Sequence, residues 1–267
     1  MSEHIRFGRS VQLWTRKESA FRRGGEGRML DGVQEFADRL AGIHARMSAA
    51  CTRAGRSMDE VQLVSVSKTR SPDEVERAAR CGLELFGENR VQEAAAKIPL
   101  CSSKLHWHLI GHLQSNKVRP AVHLFEMIHS LDSLSLLQRV NTACEDEGRH
   151  LPVLLEVNVS GEASKFGLPP DGVRSVIQAA ACLGQVEIKG LMTIPPPSEE
   201  SERMRVYFRA LRCLRDQLRD QTGLLLPELS MGMSGDFEVA IEEGATFVRI
   251  GTDLFGPRTA RTVTAEE

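Results

Sequence analysis

Between residues 62 and 250 the chain alternates short apolar runs with amphipathic helical patterns, and it produces eight of the apolar runs. The strands fall at 62–67, 83–86, 105–110, 125–130, 153–159, 187–192, 228–231 and 246–250. The helices between them fall at 72–81, 91–98, 114–121, 134–147, 170–183, 199–222 and 236–242. A strand that is followed by a helix re-enters the sheet in the same direction, so the strands are parallel. Eight of them predict closure as a single (β/α)8 TIM barrel. An open doubly wound sheet is the alternative, but no Gly-x-Gly-x-x-Gly follows the first strand. In the 199–222 helix the core stripe reads Tyr207, Leu211, Leu214 and Leu218. An extra helix precedes the first strand, with Val33, Ala37, Leu40, His44, Met47 and Cys51 at helical spacing and an end near Gly55.

Composition narrows the class. A chain of 267 residues suits one large α/β domain, and shares of 41% hydrophobic and 26% charged residues are those of a soluble globular protein. A net charge of −2 offers no footprint for a polyanion, so nucleic acid is not an expected partner. The cysteines (Cys51, Cys81, Cys101, Cys144, Cys182 and Cys213) form no Cys-x-x-Cys pair, which points to reduced thiols and a cytoplasmic location. No apolar run approaches the roughly 18 residues of a membrane span. Residues 1–28 differ from the rest: Arg6, Arg9, Arg16, Arg22, Arg23 and Arg28 accompany a Gly24-Gly25-Glu26-Gly27 breaker. No apolar signal core is present there, and Glu3, Glu18 and Glu26 argue against a transit peptide. The segment is expected to be a flexible extension, or an overextended start before Met29, leaving 29–267 as one domain.

In a barrel the strand ends converge on one mouth, where ligands and reactive groups sit. Lys68 ends the first strand, ahead of a helix opened by Ser71, Pro72 and Glu74 in the pattern of an N-cap and capping box. Such a lysine, desolvated among apolar neighbours, forms a Schiff base with a carbonyl; a solvated loop lysine is the plain alternative. Other strand ends carry Glu88-Asn89-Arg90, Gly111-His112, Ser130, Asn158, Met192, Ser230 and Gly251-Thr252. Ser230, Gly232 and Ser234 in Leu229-Ser230-Met231-Gly232-Met233-Ser234, with Gly251 and Thr252 on the adjacent strand, suit a phosphate held by the loops after strands seven and eight. A simple turn or helix cap accounts for either stretch alone. Arg249 lies within a β run and requires an acceptor, either a structural ion pair or a ligand's ring nitrogen or carboxylate. Asn158 ends an apolar strand and also suits capping of the loop that follows. His106 and His108 share a strand face but lack a third ligand at a metal-site spacing, and His112 and Asn116 are expected to shape a turn.

A Schiff-base lysine, a phosphate cradle and a positioned arginine together suggest pyridoxal 5′-phosphate. From Asp31 to Arg258 the chain resembles the YggS/PROSC family of pyridoxal phosphate homeostasis proteins. The resemblance rests on Val64-Ser65-Val66-Ser67-Lys68-Thr69, Phe86-Gly87-Glu88-Asn89 with Gln92-Glu93, and Trp107-His108-Leu109-Ile110-Gly111-His112-Leu113-Gln114-Ser115-Asn116-Lys117. It continues through Val157-Asn158, Ser164-Lys165-Phe166-Gly167, Gly190-Leu191-Met192-Thr193-Ile194-Pro195, the Ser230–Ser234 stretch and Val248-Arg249-Ile250-Gly251-Thr252. It implies an alanine-racemase N-terminal-domain-like barrel with pyridoxal phosphate in a Schiff base on Lys68. It further implies phosphate contacts from Ser230, Gly232, Ser234, Gly251 and Thr252, Arg249 at the pyridine nitrogen, and Asn89 and Asn158 lining the pocket.

An arginine at the ring nitrogen keeps that nitrogen unprotonated and weakens the electron sink that amino-acid chemistry requires. Related racemases, by the same resemblance, take a second base from a tyrosine of another domain, whereas the one tyrosine here, Tyr207, lies on a helix stripe. The expected function is therefore a monomeric carrier that buffers the cofactor and influences amino-acid and keto-acid pools, with PLP-dependent apoenzymes as candidate recipients. A weak racemase using Lys68 and a cofactor-independent lysine aldolase are the alternatives.

Overall fold

A computed structural model describes residues 27–257 apart from 163, 197 and 199. The proposed extension therefore lies outside the described residues up to residue 26. Helix α1 (Gly27–Arg53) leads into β1 (Gln62–Val66). Then follow α2 (Pro72–Arg80), β2 (Leu85–Glu88), α3 (Val91–Lys97), β3 (His106–Leu109), α4 (Val118–Leu124), β4 (Met127–Leu131), α5 (Leu134–Glu147) and β5 (Leu151–Glu156). The chain continues through α6 (Val173–Ala179), β6 (Val186–Met192), α7 (Arg205–Thr222), β7 (Glu228–Ser230), α8 (Phe237–Glu242), β8 (Phe247–Ile250) and α9 (Thr252–Phe255). All strand pairs are parallel, and β1 pairs with β8 from Gln62↔Phe247 to Ser65↔Ile250, closing the barrel. The expected (β/α)8 architecture and its extra N-terminal helix are both present.

Strand side chains alternate between two apolar layers, as a pleat of period two requires. Val64, Val66, Ile110, Met127, Leu154, Met192 and Phe247 fill the barrel interior. Phe86, Trp107, Leu109, Ile128, Val153, Leu155, Leu191, Leu229, Val248 and Ile250 face outward and pack with the helices. Each such side chain, fully buried, contributes about 1.5–3 kcal/mol. The alternation is reset at two bulges, where register shifts between Ile128 and Leu131 of β4 and between Val153 and Leu154 where β5 meets β6. At the second, Gly190 lies so close to β7 that a Cβ would stand 1.8 Å from the Glu228 carbonyl oxygen.

Several elements depart from the sequence reading. Strand β2 sits two residues later than 83–86, because buried Glu88 is paired within the fold and so belongs to the strand. Strand β4 starts at Met127, and Phe125 instead closes α4; β5 runs Leu151–Glu156 and stops short of 159. The helices expected at 114–121, 170–183 and 199–222 are partly 3-10 turns, at Ser115–Lys117, Pro170–Gly172, Ala180–Cys182 and Ser201–Met204; residue 199 lies outside the described residues. On α1 the buried stripe is Phe36, Leu40, Ile43, Met47, Ala50 and Cys51, while His44 is exposed, so the buried face is turned to one side of the expected stripe. On α7 the most buried aromatic is Phe208, with Tyr207 partly buried beside it. Among the described residues no helix is long and apolar enough to cross a membrane.

Candidate functional site at the barrel mouth

The inward period of the strands, carried one step past their ends, reaches most of the expected site. Val64 and Val66 lead to Lys68, and Leu154 and Glu156 lead to Asn158. Leu85 and Gly87 lead to Asn89, since a Cβ on Gly87 would meet the inner side chains Val64 and Ile110 at 2.7 and 3.0 Å. Ser230 leads to Gly232, and Phe247 and Arg249 lead to Gly251. Sequence order round the barrel thus gathers at one rim residues that lie up to 183 positions apart.

Both peptide groups beside Lys68 are fastened to β2 and α3. The Ser67 carbonyl accepts from Lys97 Nζ at 2.7 Å, and the Thr69 N–H donates to Glu93 Oε1. Lys97 Nζ also lies 2.7 Å from Glu88 Oε1 and 2.9 Å from Glu93 Oε1, while Ser67 Oγ donates to Glu88 at 2.6 Å. Burial pushes the Glu88 carboxyl up despite the opposing pull of Lys97 and Ser67. Thr69 is held at φ 65, a conformation that costs a β-branched residue about 1–3 kcal/mol and persists only where its surroundings impose it. Ser71 then caps α2 in a capping box with Glu74, with Pro72 in its first turn, as the sequence predicts.

The barrel floor is a hydrogen-bonded chain. Arg249, 3% exposed, donates through one terminal nitrogen to Ser230 Oγ at 2.6 Å and through the other to the Thr193 carbonyl at 2.8 Å. Ser230 Oγ also lies 2.9 Å from His129 Nδ1, and His129 Nε2 lies 3.0 Å from His108 Nδ1. Burial lowers His129 well below its ordinary range and takes His108 to about 3, so both rings are neutral. A guanidinium never accepts, so Ser230 Oγ accepts from Arg249, while the Ser230–His129 and His129–His108 contacts each hold one hydrogen between their two heavy atoms. Burial also lowers Arg249 to about 10, opposed by the charges of Glu156 and Asp236, so the guanidinium stays protonated at neutral pH.

The loops after β7 and β8 meet as the sequence predicts. Gly232 has φ 92, and a Cβ on it would stand 2.5 Å from Ala240 Cβ, so the position admits only glycine. Asp236 Oδ1 accepts from the Met233 N–H at 2.6 Å, and Ser234 Oγ accepts from the Asp253 N–H at 3.4 Å. A Cβ on Gly251 would be 3.3 Å from the Val66 carbonyl oxygen. Helix α1 braces both loops: Arg46 reaches Glu238 at 2.8 Å and Asp253 at 2.9 Å, and covers the Phe237 ring at 4.4 Å.

Across the mouth, a cavity of about 520 Å3 is lined by Asn89, Arg90, Gly111, His112 and Lys117 among others. His112 lies 3.2 Å from Asp132 and stacks on Phe166, 3.8 Å between centroids. The Asn158 side chain is spent on the following turn, accepting from Ser160 Oγ at 3.1 Å and the Gly161 N–H at 3.0 Å and donating to the Glu162 carbonyl at 2.8 Å. A larger hollow of about 680 Å3 lies at the opposite barrel end, where β6 and β7 begin, and holds none of these groups. His106 and His108 do not act together: His106 pairs with Glu126 at the surface. Lys97, His129 and Glu156 are not among the residues expected at the site. A charged or imidazole side chain inside an apolar strand is the available signal for His129 and Glu156, and none marks Lys97.

Residues 38–259 match the family of the alanine racemase N-terminal domain. The chain is 46% identical over 222 residues to the pyridoxal phosphate homeostasis protein of Aquifex aeolicus, covering 83% of this chain and 97% of that protein. The corresponding protein of Pseudomonas aeruginosa is 44% identical over 227 residues, covering 85% and 97%. The chain belongs to the pyridoxal phosphate homeostasis protein family. Within this family, PipY of Synechococcus elongatus, solved with and without PLP, has 38% identity, covers 83% of this chain and 100% of PipY, and superposes with TM-scores of 0.74 and 0.76. An alanine racemase of Corynebacterium glutamicum, at 18% identity and TM-score 0.62 over 82% of this chain and 62% of its own, shares the fold alone.

Proposed function

We propose that this protein holds pyridoxal 5′-phosphate through Lys68 and serves as a store and carrier of it, not as a racemase. The observation that carries the reading is the pairing, in one inward-facing layer, of a lysine clamped between two fastened peptide groups with an arginine locked across the barrel floor. The PLP-bound PipY structure and the family's name support it.

The residues present fit the group. Gly232 and Gly251 let the loops after β7 and β8 close against Ala240 and Val66, which gathers Ser234 and Thr252 at the place a phosphate would occupy. When bound, pyridoxal phosphate supplies an aldehyde that condenses with an amine and a ring that withdraws electrons. Lys68 Nζ supplies the amine. Arg249 presents a charged, permanently donating group to the ring side of the site, and Ser230 works by holding Arg249 in place. Asn158 shapes the rim through its turn, and Asn89 lies beside the rim cavity. A guanidinium does not hand a proton to the ring nitrogen, which suits retention over turnover. The one tyrosine, Tyr207, lies on α7 in the outer layer and offers no second base.

Purified protein incubated with pyridoxal phosphate is expected to show the absorbance of a protein-bound imine, fixed by borohydride and lost in Lys68→Ala, with no amino-acid α-proton exchange at enzymatic rates. A wild-type protein without that absorbance overturns the binding reading, and rapid α-proton exchange abolished by Lys68→Ala overturns the carrier reading.

A further inference from the structure

The chain leaves β1 through a turn, Ser67 to Arg70, whose second residue is Lys68. The Arg70 N–H donates to the Ser67 carbonyl at 3.0 Å and closes it. Thr69, the third residue, has φ 65, whereas Lys68 has no positive φ. A turn with positive φ at its third position alone is of type II, and glycine or asparagine ordinarily fills that position. Type I differs by a rotation of the central peptide, here the one joining Lys68 to Thr69. A β-branched residue at the third position favours type I, because the left-handed region crowds its side chain. The surroundings therefore have to hold this peptide where it is.

Glu93 does so. The Thr69 N–H, which belongs to the central peptide, donates to Glu93 Oε1. Glu93 lies in the first turn of α3, and Lys97, one turn further on, holds the same oxygen at 2.9 Å. Lys97 is anchored by buried Glu88 at 2.7 Å, so the acceptor is fixed in place. Rotating the peptide would turn the Lys68 carbonyl toward that carboxylate, and neither group can donate to the other.

We infer that Glu93 is a positioning residue, which keeps the Ser67–Arg70 turn in its strained form and so holds Lys68 in the pose that receives the cofactor. The inference rests on the pyridoxal phosphate reading above. Without that acceptor the turn relaxes toward type I, which changes ψ at Lys68 and reverses the peptide dipole beside its side chain. Lys68 then divides between two backbone conformations, and only the fraction in the original one binds as before.

The test is the affinity of the full chain for pyridoxal phosphate, followed by imine absorbance, in wild type, Glu93→Ala, Glu93→Gln and Glu93→Ala combined with Thr69→Gly. Alanine removes the acceptor and suits a helical site that is 26% exposed. Glu93→Ala is expected to bind about tenfold more weakly. Glutamine keeps a carbonyl acceptor, so Glu93→Gln is expected to stay within about threefold of wild type. Glycine takes a positive φ as readily as a negative one, so adding Thr69→Gly to Glu93→Ala is expected to return the affinity to within about threefold of wild type. A packing or charge role for Glu93 predicts no such recovery, since glycine supplies neither. Wild-type affinity in Glu93→Ala overturns the inference. So does a loss that Thr69→Gly leaves in place, or a Glu93→Gln chain as weak as Glu93→Ala. If wild type itself shows no imine absorbance, the pyridoxal phosphate reading fails and the inference with it; a normal wild-type band with any of the overturning results removes the inference alone.

Discussion

Replacing Lys97 by methionine tests the clamp beneath Lys68 most directly. Lys97 is 5% exposed and its Nζ lies 2.7 Å from a Glu88 carboxylate that is itself 0% exposed. The exchange keeps most of the side-chain volume but leaves Glu88 as a buried carboxyl whose charge is no longer offset. Breaking a buried pair from one side costs about 3–5 kcal/mol, and in a chain of this size that lowers Tm by about 10 °C. The cost depends on pH with a definite sign. Without Lys97 the folded-state pKa of Glu88, already raised by burial, rises further above its unfolded value of about 4.3. A raised carboxyl destabilises fully above its folded pKa, and the penalty fades as pH falls toward the unfolded one. Denaturant unfolding of Lys97→Met should therefore show a deficit that shrinks on acidification. Adding Glu88→Gln removes the stranded charge, and the double variant should recover to within about 1 kcal/mol of wild type. A deficit that is constant between neutral and acid pH, or a double variant whose loss equals the sum of the single losses, would refute the argument that Lys97 is needed chiefly to offset Glu88.

Two further substitutions probe how the barrel is assembled. Gly190→Ala places a methyl 1.8 Å from the Glu228 carbonyl oxygen, so β6 and β7 must separate; a loss of about 3 kcal/mol is expected, and an unchanged denaturation midpoint would contradict the close approach. Arg46→Ala removes the tie from α1 to the loops after β7 and β8. Its pairs are partly exposed, so the stability cost should be no more than about 1 kcal/mol and should shrink in high salt. The same variant should weaken pyridoxal phosphate binding several-fold through looser loops after β7 and β8, and unchanged affinity in titration would show that the brace is only structural.

The alternation of apolar runs with helical patterns determined the barrel, because each strand and helix signals its type through local periodicity. Motif residues at strand ends were legible for the same reason: a polar residue one pleat beyond an apolar inner pair, as Lys68 stands beyond Val64 and Val66, marks the rim. Boundaries failed where the side chain's partner was distant. Glu88 looked like a loop residue until Lys97, from the next helix, paired with it inside the fold. The Ser230 hydroxyl, expected at a phosphate, hydrogen-bonds Arg249 and His129, which come from two other strands. Asn158 carried both readings in sequence, and its side chain is engaged by its own turn. What the sequence by itself determined was which elements form and which residues crown them, since period and capping act within a few residues. Only the tertiary structure decided what each crowning group is bonded to. Burial and hydrogen bonding between strands set those partners, and the parts of this chain that meet at the mouth are far apart along it.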